Sequence, residues 1–246
     1  AERGIKVQLE LGGKNPVIVL DDADLELAVE ETVRGAMAST GQKCTATSRV
    51  IVTPGIRDAF VEAFVERTRA LTVGDPLDPA TAIGPLVSAQ QLSTVCDYLE
   101  LARRERHVVA TGGGRPPGDG YFVEPTVLLD VPPESRLGQE EIFGPVAAVM
   151  EARDLDRALA IANGVRYGLS ASIFTRDLER ALTFIRSIET GVVHVNSETA
   201  FSEPQVPFGG MKESSSHSRE QGKAAADFFT DIKTVYVDMP SRKAGA

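Results

Sequence analysis

Residues 16–20 (PVIVL), 24–39 (DLELAVEETVRGAMAS) and 49–53 (RVIVT) read in order as strand, helix and strand. The outer runs are short, rich in Val and Ile, and bounded by polar or turn residues, which is how strands buried in a sheet read. In the middle run Leu25, Ala28, Val29, Thr32, Val33 and Ala36 recur at the i, i+3, i+4 spacing of an amphipathic helix. Asp22 or Asp24 can cap its start, and Gly41 can supply the left-handed residue that stops it. The alternation continues down the chain. Helices are expected at 56–71, 88–105, 154–163 and 177–188, and strands at 108–110, 122–123, 126–129, 146–150, 170–174 and 192–196. Strands alternating with helices imply an α/β domain whose sheet is largely parallel and covered by helices. The end differs. A helix at 218–228 is followed by Thr234–Val237, an alternating run with nothing after it to pair with. The reading divides the chain into residues 1–227 and a segment 228–240, with Ser241–Ala246 disordered.

Between the first helix and the second strand lies Ser39-Thr40-Gly41-Gln42-Lys43-Cys44-Thr45. Cys44 thus sits on a tight connection, where a side chain can be exposed yet held in position. Lys43 beside it can favour the thiolate, the nucleophilic form. A lone cysteine is otherwise read as a small buried residue. That is how Cys96 reads, because it falls on the apolar stripe of Leu92, Val95, Leu99 and Ala102.

Upstream, two apolar runs flank Glu10-Leu11-Gly12-Gly13-Lys14-Asn15-Pro16. A carboxylate followed by two glycines, which let the backbone turn closely, is a place for chemistry. With G-Q-K-C at 41–44 this resembles the aldehyde dehydrogenase superfamily. Further matches follow in order: Glu140-Glu141-Ile142-Phe143-Gly144-Pro145-Val146, then Val193-His194-Val195-Asn196, then Pro207-Phe208-Gly209-Gly210-Met211-Lys212. The resemblance spans residues 5–238. Members are about twice as long, so it implies that this chain is the carboxy-terminal half. The dinucleotide-binding half would precede Ala1. The glycine-rich run Gly112–Gly118 lacks the strand-turn-helix context of a phosphate-binding fingerprint, and its prolines mark a surface loop.

The resemblance also implies a mechanism. Cys44 attacks the aldehyde to give a thiohemiacetal, and the developing oxyanion needs donors already in place. One is the Cys44 backbone N–H, and the other is an asparagine of the missing half. Loss of hydride to NAD or NADP leaves a thioester. Glu10 then serves as the general base for the hydrolytic water, its pKa raised by a partly buried site. Glu141 would hold the nicotinamide ribose, Phe143 would back the nicotinamide ring, and the Leu11 carbonyl would meet the carboxamide. Phe208 would wall the substrate channel, and Asn196 would support the cysteine loop. Strand 234–237 would join a neighbouring subunit's sheet, making a homo-oligomer. The run Lys212–Gly222, with Phe228–Thr234, resembles the branch that acts on 2-oxoglutarate semialdehyde (2,5-dioxopentanoate). His217 within it reads as a surface residue. Two alternatives stand beside this reading: a relative that passes the acyl group to coenzyme A, and an inactive fragment or assembly module.

Composition bounds the rest. The formal net charge is −9, without the clustered basic face of a nucleic-acid binder. No apolar run approaches a membrane span. Two distant cysteines and three scattered histidines make no metal-ligand spacing. Cysteine usage points to a reducing cytoplasm without disulfides.

Overall fold

The computed structural model describes residues 4–216 and 218–239. His217 and Ser241–Ala246, on which sequence expectations fall, lie outside them. Seven strands form the central sheet: β1 (Asn15–Val19), β2 (Thr47–Val52), β3 (Val108–Thr111), β4 (Thr126–Leu129), β5 (Val146–Glu151), β7 (Ser170–Phe174) and β8 (Val192–Val195). Their spatial order is β3-β4-β5-β2-β1-β7-β8, and only the β3–β4 pairing is antiparallel. A two-stranded antiparallel ribbon joins β6 (Tyr167–Gly168) to β9 (Met211–Lys212).

The period of two places alternate side chains on opposite faces. Val17 and Val19 of β1, Val50 and Val52 of β2 and Val149 of β5 belong to one core. Ile18, Ile51, Ala148 and Met150 belong to the other. Helices α1 (Leu25–Met37) and α2 (Pro54–Arg69) cover the first face with Val29, Met37, Phe60 and Phe64. Phe60 and Phe64 are fully buried and stack at 5.6 Å. Burial of each is worth about 1.5–3 kcal/mol. Helices α3 (Ala89–Arg104), α5 (Leu155–Asn163) and α6 (Leu178–Ser187) cover the second face. Asp24, Ser88, Asp154 and Asp177 cap α1, α3, α5 and α6 through side-chain oxygens that accept first-turn N–H groups. Each cap contributes about 1 kcal/mol.

Several expectations need correction. Phe122 and Val123 form no strand; Val123 packs in the core, and Pro125, which has no N–H to donate, precedes β4. Cys96 is half-buried, not core. The stripe that enters the core is Val95, Leu99 and Ala102, and Cys96 lies one position round the helix from it. Helix α4 (Arg136–Gln139) and the β6–β9 ribbon were not anticipated, because elements this short show no periodicity. The last helix, α7 (Gly222–Phe229), buries none of its residues. Thr234–Val237 is not a strand here: it pairs with no described residue, and Val235, Tyr236 and Val237 are 67%, 90% and 73% exposed.

Candidate active site

Three segments meet at the amino ends of adjacent strands: residues 10–14 before β1, 38–46 before β2, and 140–145 before β5. The middle segment carries the thiol. Helix α1 ends in a 3-10 turn, Ala38–Gly41, in which Ser39 and Thr40 adopt left-handed φ of 54° and 58°. Such φ values are strained for residues other than glycine. A tight turn follows, with the Ala46 N–H donating to the Lys43 carbonyl at 3.0 Å. Asn15 pins this turn from beneath. Its Nδ2 donates to the carbonyls of Cys44 (2.8 Å) and Ala46 (2.9 Å), while its Oδ1 accepts the Ser170 N–H at 3.0 Å. Thr199 Oγ1 donates to the Thr45 carbonyl at 2.7 Å.

Glycines set the approach of the other two segments. A Cβ on Gly13 would lie 2.6 Å from the Cys44 carbonyl oxygen, and one on Gly12 would lie 2.1 Å from Glu141 Oε2. Glycine is required at 13, where the neighbour is backbone; a side chain at 12 would displace the Glu141 carboxylate. The Gly13 N–H donates to Glu141 Oε1 at 3.0 Å, which fixes the carboxylate over the turn. Phe143 beside it takes φ 56°. Gln91 Nε2 donates to the carbonyls of Ile142 and Phe143, both at 2.9 Å.

Glu10 stands on the other side. Its Oε2 accepts from Ser215 Oγ at 2.5 Å, and its Oε1 is buried with no hydrogen-bond partner. A Cβ on Gly209 would lie 2.8 Å from Oε1, so Phe208-Gly209 closes against this carboxylate. Phe208 is buried and bridges Glu220 through two backbone hydrogen bonds. Leu11 is half-exposed, and its N–H donates to the Ser214 carbonyl at 2.7 Å.

The electrostatics follow from burial. Desolvation raises the Glu10 pKa; the Ser215 hydroxyl opposes, Glu220 adds, and Arg219 opposes. Glu141 is raised by burial against the Gly13 N–H and Lys14. The Cys44 thiol is pushed up by burial first and by the Glu141 charge second; the N–H groups of Thr45 and Cys44 oppose, and Glu10 adds to the rise. Activation by Lys43 is therefore overturned. The Lys43 side chain is exposed, and the charges acting on the sulfur are carboxylates. Alkylation of Cys44 by iodoacetamide should accordingly follow an alkaline titration. Glu141→Gln removes the second cause of the shift and should speed alkylation near neutral pH several-fold. Peptide mapping that shows no acceleration, or that labels Cys96 first, would contradict the assignment.

Of the expected site residues, Cys44, Glu10, Glu141, Leu11 and Phe143 come together, and Phe208 adjoins Glu10. Asn196 does not support the cysteine loop. Its side chain is paired with the backbone of Thr175 at the far end of β7, Oδ1 accepting from N–H and Nδ2 donating to the carbonyl, both at 3.0 Å. Asn15 does that work instead, and it was visible within the E-L-G-G-K-N-P run. Ser215 was not singled out, because nothing in a run of serines marks one of them. Among the described residues, no group of three or more His, Cys, Asp and Glu side chains is placed to hold a metal ion.

Lys14 is also part of this floor. It is 1% exposed, its Nζ has no hydrogen-bond partner, and Arg49 Nε donates to its carbonyl at 2.8 Å. Burial, then the Arg49 charge, pulls the ammonium down to about 7, with Glu141 and Glu140 opposing. In the unfolded chain the amine keeps its proton up to its ordinary 10.5. The unfolded state therefore binds more protons above pH 7, and stability rises with pH there. The unfolding midpoint should climb from pH 7 to 8, and should climb less in Lys14→Met. A midpoint in the parent that stays flat or falls across that interval would contradict this.

The geometry thus brings a thiol on a strained turn together with two half-buried carboxylates at one end of an α/β sheet. Residues 1–235 match the model of the aldehyde dehydrogenase family, and the chain belongs to that family. It is 52% identical over 239 residues to an alpha-ketoglutaric semialdehyde dehydrogenase of Bacillus subtilis, covering 96% of this chain and 49% of the relative. It is 48% identical over 240 residues to an alpha-ketoglutarate semialdehyde dehydrogenase of Haloferax volcanii, with 96% and 49% covered. A crystal structure of an NAD-dependent aldehyde dehydrogenase from Sinorhizobium meliloti superposes with a TM-score of 0.92 at 37% identity, covering 96% of this chain and 47% of that one. The chain thus spans about half the length of the curated relatives it matches.

Proposed function

We propose that the complete gene product oxidises an aldehyde to a carboxylic acid with NAD or NADP, and that its substrate is 2-oxoglutarate semialdehyde. The observation that carries this reading is the convergence of Cys44, Glu10 and Glu141, close enough for both carboxylate charges to act on the thiol. The substrate rests on the names of the two relatives above and on the run Lys212–Gly222.

The residues fit a nicotinamide cofactor. Gly12 leaves open the space beside Glu141 that a Cβ would fill, and Glu141 spends one acceptor site on Gly13, keeping others for ribose hydroxyls. Glu141 and the Leu11 carbonyl would hold its reactive end, with Phe143 against the ring. When bound, the cofactor supplies the hydride acceptor. The Cys44 thiol gives its proton to solvent water and its sulfur adds to the carbonyl carbon, whose π pair moves onto oxygen near the Cys44 N–H. Loss of hydride from that carbon leaves an acyl thioester on Cys44. Glu10 takes a proton from water, and the hydroxide adds to the thioester. Carbon–sulfur cleavage releases the acid and the Cys44 thiolate, which takes up the proton that Glu10 removed from water.

Assembly belongs to the same proposal. The exposed run Val235-Tyr236-Val237 and the edge position of β8 support pairing between copies. A clean monomer in sedimentation at micromolar concentration would remove that part. Two free cysteines fit a reducing cytoplasm. Among the described residues, no helix is long and apolar enough to cross a membrane.

The test is reduction of NAD and NADP by the purified gene product with 2-oxoglutarate semialdehyde, betaine aldehyde and a simple alkanal. Faster turnover of the semialdehyde supports the proposal. Faster turnover of another aldehyde removes the substrate, a requirement for coenzyme A removes the hydrolytic step, and no reduction with any of them removes the activity.

A further inference from the structure

The segment before and into α3 touches both sides of the site. Ile83 is buried in the core on one face of the sheet and Leu86 in the core on the other, so the chain between them is anchored in both cores. The Leu86 N–H donates to the Tyr121 carbonyl at 2.9 Å. From this anchorage, hydrogen bonds run to the thiol loop. Thr40 Oγ1 donates to the Gly84 carbonyl at 3.2 Å, Gln42 Nε2 to the Pro85 carbonyl at 3.4 Å, and the Val87 N–H to Gln42 Oε1 at 2.9 Å. The Gln91 amide reaches the other way, to the carbonyls of Ile142 and Phe143.

Both recipients are strained. Ser39 and Thr40 in one loop and Phe143 in the other hold left-handed φ. Such residues persist where their surroundings over-determine them. The two loops also touch: a Cβ on Gly41 would sit 2.2 Å from the Gly144 carbonyl oxygen.

We propose that Gly84–Gln91 is a brace fixing the separation of the thiol loop from the cofactor-side loop, with Gln42 and Gln91 as its positioning residues. The proposal rests on the dehydrogenase reading above for its kinetic consequence, though not for its mechanical one. Neither glutamine touches the reacting atoms. Each acts by holding a strained loop, so loosening one end should be felt at the other.

The test uses Gln91→Met, which keeps the side chain's length and loses its donor, in the complete gene product. The cofactor KM should rise roughly tenfold with kcat within about threefold, the scale of one or two lost hydrogen bonds. Alkylation of Cys44 without cofactor should quicken by about threefold, because a loosened loop lets water reach a thiol whose pKa burial had raised. Amide exchange at Phe143 and Gly144 should rise. Gln91→Lys, which retains a donor, should return exchange and KM toward the parent. Gln42→Met is the companion variant: it should raise the cofactor KM although Gln42 lies on the thiol side, and it replaces Gln91→Met if that protein does not fold. Unchanged exchange and alkylation in Gln91→Met would overturn the brace, as would a lysine variant as impaired as the methionine one. A parent that reduces no cofactor would instead overturn the dehydrogenase reading, and alkylation and exchange would still decide the brace.

Discussion

Cys44→Ala is expected to abolish aldehyde-dependent cofactor reduction, a loss on the order of 10⁴-fold or more, since the only route to the thioester begins at the sulfur. The fold should survive. Cys44 is half-buried on a turn held through its backbone by Asn15 and Thr199, and those bonds use carbonyl groups that alanine retains. Rapid mixing should show neither a burst nor a steady phase of reduced cofactor, with the circular dichroism spectrum and unfolding midpoint close to those of the parent. Retained turnover would mean that the nucleophile lies elsewhere. Lost activity together with a collapsed midpoint would mean that the residue acts through structure.

Glu10→Gln should separate the two halves of the reaction. Acylation needs the thiol, whereas deacylation needs a base for water, and removing such a base typically costs about 10²- to 10⁴-fold. A burst of reduced cofactor should remain, followed by a steady rate depressed by that factor. The geometry argues for this division because Oε2 is tied to Ser215 while Oε1 is not. The sign of the pH effect follows. Burial raises the Glu10 pKa, so the base is lost on acidification at a higher pH than an ordinary glutamate would be. Ser215→Ala removes a bond that favours the carboxylate and should move this acid limb further up. Loss of the burst together with the steady phase would give Glu10 a different role.

How far these residues could be read beforehand depended on periodicity and on local order. The α/β alternation was legible because buried strands and amphipathic helices impose periods that survive in one dimension, and each long element lies near its expected place. Cys44 was legible as a loop thiol from its neighbours, the helix before it and the strand after it. Its ionisation was not. Lys43 is adjacent in sequence but exposed, whereas Glu141, far along the chain, is close in space. The same holds for Asn196, whose motif position suggested the cysteine loop while the strand it ends carries it to Thr175. Ser215 and Gln91 act through single polar contacts set by tertiary packing, and such contacts leave no periodic trace. The run 234–237 reads as a strand by alternation alone, yet a strand exists only with a partner to complete its hydrogen bonds.

The three arms of the site enter β1, β2 and β5, which lie side by side with β2 in the middle. Neighbouring strands are about 4.8 Å apart, and one residue along a strand is about 3.3 Å. The sheet therefore works as a gauge block: its spacing across the strands and its pitch along them decide how far apart thiol and carboxylates can stand. A slip of one residue in any of the three would displace its arm and turn the strand's side chains to the opposite face. Transplanting the loop motifs into another scaffold would carry the letters without the measure. The smallest portable unit is the three-stranded strip with its loops attached, and altering a distance in the site means altering the strip.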